Sequence, residues 1–349
     1  MRRALRLSLI GVAALLLLGA AFVTWLLQRP SGSAWLLARL PGVQVEAPEG
    51  SLLGDFRARR LLLSWAGGTA ELRGLRWSGL GLSAGQRELR AAELVVDDIV
   101  IRTQPSSAPP TAPQDLSLPL GLHIAKLSVG RLSWAADQPP VQGLAASLAL
   151  PRQGTHEIKL TGARWQQLLL AGELRIASAA PLQTEARLSV QPHDETGLRW
   201  RAVAAAHGPL AQLSAQAEVV AQQQTLQLEG QIQPFARWPV SRLAVRADRF
   251  DLAALSALAP GLPRTALSGT AELNAPARDA EATLEAELAN AAPDRWDQRA
   301  LPVRRLRVKL AGRPDQPTSL RLAALDAQLL GGARVQGQGR HGTDGGWQL

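Results

Sequence analysis

Leu213 to Ile232 read LSAQAEVVAQQQTLQLEGQI, and nearly every second residue of this stretch is apolar or small. Those positions are Leu213, Ala215, Ala217 and Val219, then Leu226, Leu228, Gly230 and Ile232. Ser, Gln and Glu fill most of the places between them. Because successive side chains of an extended chain point to opposite faces, the alternation predicts two strands, each apolar on one face, joined by a short Gln turn.

The same period-two alternation recurs along most of the chain after Val43. Further examples are Leu116–Ile124, Leu182–Val190 and Ala282–Leu288, and short turns such as Ala66–Thr69 separate such runs. About twenty strands at ~4.8 Å each would make a sheet ~100 Å long. Its apolar face can be hidden in a sandwich, in a closed barrel, or in a curled trough that is filled by apolar material from outside.

We favour the trough. One sandwich rarely uses so many strands, and a membrane barrel would need aromatic girdles, whereas aromatic residues make up 4% of this chain and Tyr is absent. The predicted fold is therefore mainly β: an elongated, curled antiparallel sheet that forms an open groove, with one or two short helices.

Three segments break the alternation. The Pro-rich stretch Gln104–Gln114 predicts a loop, because proline cannot donate to a strand ladder. Gly32–Arg39 predicts a short helix that ends before Pro41-Gly42. Phe250–Leu258 has apolar residues at helical spacing, with Asp251 as an N-cap and Pro260-Gly261 as its stop.

Leu7–Leu27 is an almost wholly apolar run behind Arg2, Arg3 and Arg6. About twenty such residues span ~30 Å as a helix, which is the thickness of a bilayer core. The run predicts an uncleaved single-pass anchor with the arginines on the cytoplasmic side; a cleaved signal peptide and a buried core helix are the alternatives. The anchor residues are Leu7, Ile10, Leu15, Leu18, Phe22, Trp25 and Leu27. The predicted organisation is 1–28 tip and anchor, 29–103 first β segment, 104–115 loop, and 116–349 continuing β-groove.

Composition and motifs argue against several functions. The formal charge is +9, but the basic residues are scattered along strands rather than gathered with aromatic side chains, so no nucleic-acid partner is expected. There is no cysteine, and the five histidines lack metal-ligand spacing. Gly79–Ala84 matches G-x-G-x-x-A but precedes another strand rather than a helix. We predict no catalytic, metal or cofactor site and no enzyme.

Several short motifs resemble one protein family. They are the apolar run followed by Leu40–Glu46 and by Glu49-Gly50-Ser51-Leu52-Leu53-Gly54, with Trp238-Pro239-Val240 and Trp296–Pro302 later in the chain. Together they resemble the amino-terminal region of the TamB proteins, within the AsmA-like family of bacterial envelope proteins. The resemblance implies an inner-membrane anchor, with the bulk of the chain in the periplasm as a U-shaped groove that carries phospholipids towards the outer membrane. Members of that family are longer and end in a β-rich region that meets an outer-membrane barrel partner of the TamA kind, so the resemblance implies that this sequence is a fragment or a truncated reading frame without that region.

The resemblance and the one-sided strands lead to two main hypotheses. In the first, phospholipid acyl chains lie along the apolar floor of a groove that supports transport between the inner and outer membranes. The candidate contacts are Leu118, Leu120, Leu188, Val190, Val219, Leu226, Leu228 and Ile232. In the second, the chain is a scaffold or chaperone for outer-membrane barrel assembly or secretion that pairs clients through free strand edges. An anchored periplasmic enzyme is a third hypothesis; it would need a cluster of polar residues, and the sequence does not indicate one.

Overall fold

The computed structural model describes residues 27–348, apart from 84, 86, 105–110, 136, 194–199, 237, 257–258, 260, 278, 314 and 342–346. The fold is mainly β, as predicted, and the described residues form twenty strands. The one α-helix among them is α1 (Pro30–Leu37). The strands are β1 (Val43–Glu46), β2 (Glu49–Gly50), β3 (Gly54–Trp65), β4 (Gly68–Ser83), β5 (Glu88–Thr103), β6 (Gly121–Ser133), β7 (Val141–Leu150), β8 (Thr155–Trp165), β9 (Leu168–Ala177), β10 (Gln183–Pro192), β11 (Trp200–Pro209), β12 (Leu213–Ala221), β13 (Gln224–Ile232), β14 (Val240–Phe250), β15 (Leu267–Asn274), β16 (Ala282–Asn290), β17 (Val303–Arg313), β18 (Gln316–Leu329), β19 (Arg334–His341) and β20 (Trp347–Gln348).

The chain divides into two compact units. The first contains the described residues up to Gln104, Leu118–Gln153 and Ile158–Gln166. The second contains Thr111–Ser117, Gly154–Glu157 and the described residues from Gln167 onward. In the first unit β1 and β2 pair with one side of β3, and β4 pairs with the other side and also with β5.

The pairing of β5 with β6 departs from the antiparallel prediction. These two strands are parallel, with Glu88 opposite Gly121 and Val100 opposite Ser133. A parallel pair needs a connection that returns the full length of the strand; the seventeen residues 104–120 separate β5 from β6 in the sequence, and 105–110 among them lie outside the described residues. The proline-rich stretch therefore lies in the crossover. The described residues of Gln104–Gln114 form no strand, and Asp115, directly after them, makes one isolated bridge to Ala179.

The first unit has a small closed core on one face of β3 to β5. The apolar positions in these strands step by two, with a single step of three in the middle; they are Phe56, Ala58, Leu61 and Leu63 in β3, Ala70, Leu72, Leu75 and Trp77 in β4, and Leu94, Val96, Ile99 and Ile101 in β5. Gly74 lies at this step with φ +63°, and a Cβ there would collide with the carboxylate of Asp97. The extra residue in each strand keeps the apolar side chains on one face.

Helix α1 and the loop after β2 cover part of this core. Leu37 and Leu52 pack against the buried cluster around Phe56, whose ring stacks on Trp77 with centroids 4.3 Å apart. Buried Ser33 donates its hydroxyl to the Leu27 carbonyl (3.1 Å) and accepts the Leu52 amide (2.9 Å). The predicted helix is thus confirmed, two residues earlier than expected, with Pro30 in its first turn.

The second unit is an antiparallel meander from β9 to β20. Each strand pairs with the next along the chain, as the alternation predicted. Irregular connections follow β14 and β16 at one end of these strands, whereas β12 joins β13 by a short turn at Gln222-Gln223. The predicted Phe250–Leu258 helix is corrected at its start, because Phe250 ends β14 and Leu252–Leu255 form a 3₁₀ turn. Ala257 and Leu258, and Pro260 of the predicted stop, lie outside the described residues.

No helix among the described residues is long and apolar enough to cross a membrane. Of the predicted anchor, Leu7, Ile10, Leu15, Leu18, Phe22 and Trp25 lie outside the described residues, and Leu27 is described. The anchor therefore stays a prediction from sequence.

Candidate functional site

Three parallel rows of apolar residues run across the strands of the second unit from β9 to β19. Residues directly opposite each other in neighbouring strands lie on the same face of a sheet. The register therefore assigns each row to one face, and the rows contain only Leu, Val, Ala and Gly. The first row is Leu174, Ala186, Ala206, Ala215, Gly230, Leu243, Leu273, Leu284, Leu310, Leu322 and Gly339; the second is Gly172, Leu188, Ala204, Ala217, Leu228, Val245, Ala271, Ala286, Val308, Leu325 and Gly337; the third is Leu170, Val190, Ala202, Val219, Leu226, Ala247, Gly269, Leu288, Leu306, Ala327 and Val335.

We call these rows the apolar face. Six of the predicted contacts lie on it: Leu188 and Leu228 in the second row, Val190, Val219 and Leu226 in the third, and Ile232 beside the first row, opposite Leu213 and Val240. Sequence reasoning missed most of the other row members. The period-two signal was present in each strand, but the partners became visible only through the register.

The apolar face is neither buried like a core nor fully open. Val219 is buried, Leu188 is 41% exposed, and most other row members are half-buried. The first unit differs, since Phe56, Ala58, Leu75 and Val96 are all buried there. Apolar side chains that remain half in water retain free energy to be gained by further burial, at ~25 cal/mol per Å². The face can therefore bind an apolar ligand of extended shape.

The two remaining predicted contacts do not lie on a strand. Leu118 and Leu120 belong to the connection before β6, which begins only at Gly121. The Leu118 amide donates to the Arg152 carbonyl (3.0 Å), and Leu120 is 40% exposed. The predicted strand from Leu116 is therefore wrong over its first five residues, because the crossover to a parallel β6 holds them outside the ladder.

The opposite face of the same strands is charged, and we call it the charged face. Ion pairs connect neighbouring strands there: Lys309 with Glu285 (2.5 Å), Arg307 with Glu287 (2.6 Å), Arg334 with Asp326 (2.5 Å) and Arg242 with Glu272 (2.8 Å). Such exposed pairs contribute ~0–1 kcal/mol each. Their effect is to keep this face in water, so that the sheet is apolar on one side only.

A shallow concavity of about 620 Å³ lies on the charged face between β13 and β18. Most of its lining residues are polar or charged, including Glu272, Glu285 and Lys309, although Val245, Ala271, Ala286 and Val308 of the second row also line it. A hydrocarbon ligand there would have to displace water from these charges, at a high cost. We therefore place the candidate site on the apolar face and not in this concavity.

The ends of β14 to β16 are closed by hydrogen bonds from irregular segments. Asp251 caps the 3₁₀ turn by accepting from the Ala253 amide (3.1 Å), as predicted, and also accepts from the Thr265 amide (2.8 Å). The Thr265 hydroxyl donates to the carbonyl of Phe250 (3.1 Å), whose side chain is fully buried. Asn290 accepts the Ala266 amide (2.9 Å). This end gives the adjacent apolar rows a fixed boundary.

A buried carboxylate, that of Glu71, lies in the first unit. Glu71 accepts hydrogen bonds on the same oxygen from Arg73 (2.9 Å) and Arg60 (2.8 Å), and Arg102 lies 3.7 Å from its other oxygen. The hydrogen bond from Arg73 is the largest effect that lowers the pKa of Glu71, whereas desolvation raises it. A carboxylate held ionised by three arginines is suited to binding strands together.

No family model, curated protein or solved structure matches this chain. The site therefore has to be interpreted from its own chemistry. In the described part of the chain, no three His, Asp or Glu residues come together as ligands for a metal ion. What this part offers a ligand is an apolar surface with a charged reverse side, which can bind hydrocarbon by burial alone.

Proposed function

We propose that the chain is a membrane-anchored β-groove protein of the bacterial cell envelope. Its apolar face holds phospholipid acyl chains and supports their transport between the inner and outer membranes. Leu7–Leu27 anchors it in the inner membrane, and the two units lie in the periplasm. The resemblance to the TamB proteins in the AsmA-like family adds to this proposal.

The observation that carries the proposal is the set of three apolar rows across consecutive strands. Globular sheets usually cover such a face with a second layer, yet Leu226, Leu228 and Val245 are only half-buried. Acyl chains would complete the layer, at ~0.8 kcal/mol per buried methylene. Binding needs no covalent step and no cofactor.

The test is mass spectrometry of the organic extract from residues 29–349, secreted without the anchor and purified from the periplasm. We expect phospholipid at a stoichiometry well above trace. A folded protein that is free of lipid would reject the proposal, and would mean that the apolar side chains satisfy one another. The alternative function, a scaffold for outer-membrane barrel assembly, would then be the hypothesis to pursue.

A further inference from the structure

Three tryptophans of the first unit are exposed. Trp35 on α1 and Trp65 at the end of β3 are each 49% exposed, and Trp134 after β6 is 39% exposed. Leu40 (43%) and Leu82 (47%) are exposed as well. Large apolar side chains gathered on a surface mark an interaction site more often than isolated ones do. Trp35, Leu40 and Trp65, if grouped on one surface, would form a candidate interaction site.

The backbone places these residues in one region. The Gly42 carbonyl accepts the Ser64 amide at 2.7 Å, which joins the chain two residues after Leu40 to the residue before Trp65. On α1, Ser33 faces inward and is buried, whereas Trp35 is exposed. Arg39, two residues past the end of α1, is also exposed, and its guanidinium donates to the Trp35 carbonyl (3.5 Å). We call Trp35, Arg39, Leu40 and Trp65 the tryptophan patch.

The chemistry of the patch suits a lipid headgroup region. The guanidinium of Arg39 lies over the Trp35 ring, 4.1 Å from its centroid. An indole ring with an adjacent cation fits the boundary between hydrocarbon and anionic headgroups, where Trp is enriched and basic side chains are attracted to acidic lipids.

The apolar run before α1 indicates which surface covers the patch. The run ends at Leu27, and the Leu27 carbonyl accepts the Ser33 hydroxyl (3.1 Å) and the Leu53 amide (3.1 Å). Only Gln28 and Arg29 separate Leu27 from α1. A segment long enough to span a bilayer is therefore joined to this part of the first unit by a short, hydrogen-bonded connection.

We propose that the tryptophan patch contacts the headgroup region of the membrane that holds Leu7–Leu27. The inference rests on the anchored location in the proposed function, but not on lipid binding by the apolar face. The contact holds the first unit against the membrane surface and restricts rotation about the anchor.

The absence of cysteine allows a direct test on the full chain. Ala38→Cys and Ala66→Cys place a fluorophore beside Trp35 and Trp65 without removing either ring, and both positions are exposed. Lys126→Cys on β6, an exposed position three strands from β3, is the control. Each labelled chain is reconstituted into phosphatidylcholine vesicles with phosphatidylglycerol, with or without lipid that carries a headgroup nitroxide. Co-flotation with the vesicles is recorded for every sample.

We expect the nitroxide lipid to lower the fluorescence of the labels at positions 38 and 66 by about twofold or more, as for side chains at an interface. The fluorescence of the label at position 126 should not change. Trp35→Glu together with Trp65→Glu should abolish the quenching while co-flotation persists. If the chain floats with the vesicles but the labels at the patch are quenched no more than the label at Lys126, the membrane contact of the tryptophan patch is rejected, while the anchored location is not. Failure to float would overturn both the patch and the anchored location. Labels shielded from aqueous iodide yet unquenched by lipid would mean that a second copy covers the patch, which also overturns the proposal.

Discussion

The most informative prediction concerns two pairs of substitutions on one strand. Leu228 and Ile232 lie on the apolar face of β13, and Gln227 and Gln231 lie on its opposite face at the same spacing. Leu228→Asp with Ile232→Asp should remove bound phospholipid, whereas Gln227→Asp with Gln231→Asp should leave it in place. Both variants change the net charge equally, so the added charge by itself cannot account for a difference in bound lipid.

The magnitude follows from the half-burial of the two side chains. If an acyl chain contacts each over about two methylenes, at ~0.8 kcal/mol per methylene the apolar variant loses ~3 kcal/mol of binding free energy. That loss corresponds to about 100-fold in occupancy at limiting lipid. Desolvation of two carboxylates acts in the same direction.

The assay is the phospholipid-to-protein ratio in the organic extract, with circular dichroism and thermal unfolding recorded for each variant. Leu228→Met with Ile232→Val controls for packing and should retain the lipid, since both side chains stay apolar, Leu→Met nearly conserves volume and Ile→Val removes a single methyl group. Equal lipid content in the two folded Asp variants, whether both retain the lipid or both lose it, would refute the face assignment.

Three further predictions concern stability. Phe250→Ala empties a fully buried site and should lower the free energy of unfolding by ~3–5 kcal/mol in urea denaturation, whereas Trp296→Ala, at a side chain 69% exposed, should change it little. Gly74→Ala meets a φ of +63° and a collision of the new Cβ with the Asp97 carboxylate; the backbone conformation alone should destabilise the first unit by ~1–2 kcal/mol, and the collision adds to this. Gly81→Ala in the same strand has open space around its Cβ and should be neutral in the same urea denaturation. Glu71→Gln should lower the melting temperature at pH 7 but have progressively less effect as the pH falls below the ordinary carboxyl range. The reason is that the pKa of Glu71 is lower in the folded state than in the unfolded state. The ionised carboxylate therefore stabilises the fold at pH values above the unfolded-state pKa, and this stabilisation is lost as the pH falls through the folded-state pKa. A melting-temperature difference that stays constant down to pH 2 would contradict this.

Much of the fold could be predicted from alternation alone. The two strands of Leu213–Ile232 and the turn at Gln222 are present, and the Asp251 cap was readable from its position before apolar residues at helical spacing. The alternation of side chains between two faces is a property of each single strand, so it does not depend on which strand is its neighbour.

Contacts between residues far apart in the sequence were not predicted. The parallel β5–β6 pair depends on contacts more than thirty residues apart, such as Glu88 with Gly121, and no local pattern encodes them. The same crossover places Leu118 and Leu120 outside a strand. The short 3₁₀ turn after β14 likewise depends on a distant partner, because the Leu252 amide donates to the hydroxyl of Thr265 (2.9 Å), a residue well beyond the end of the turn.

The most direct measurement is photo-crosslinking in living cells, with a benzophenone amino acid at Leu228 or at Gln227 of the full chain. The two side chains are neighbours on β13 but lie on opposite faces. The account predicts a phospholipid adduct, identified by its mass, at Leu228 and none at Gln227. No adduct at Leu228, or equal adducts at both positions, would contradict the claim that the apolar face holds acyl chains.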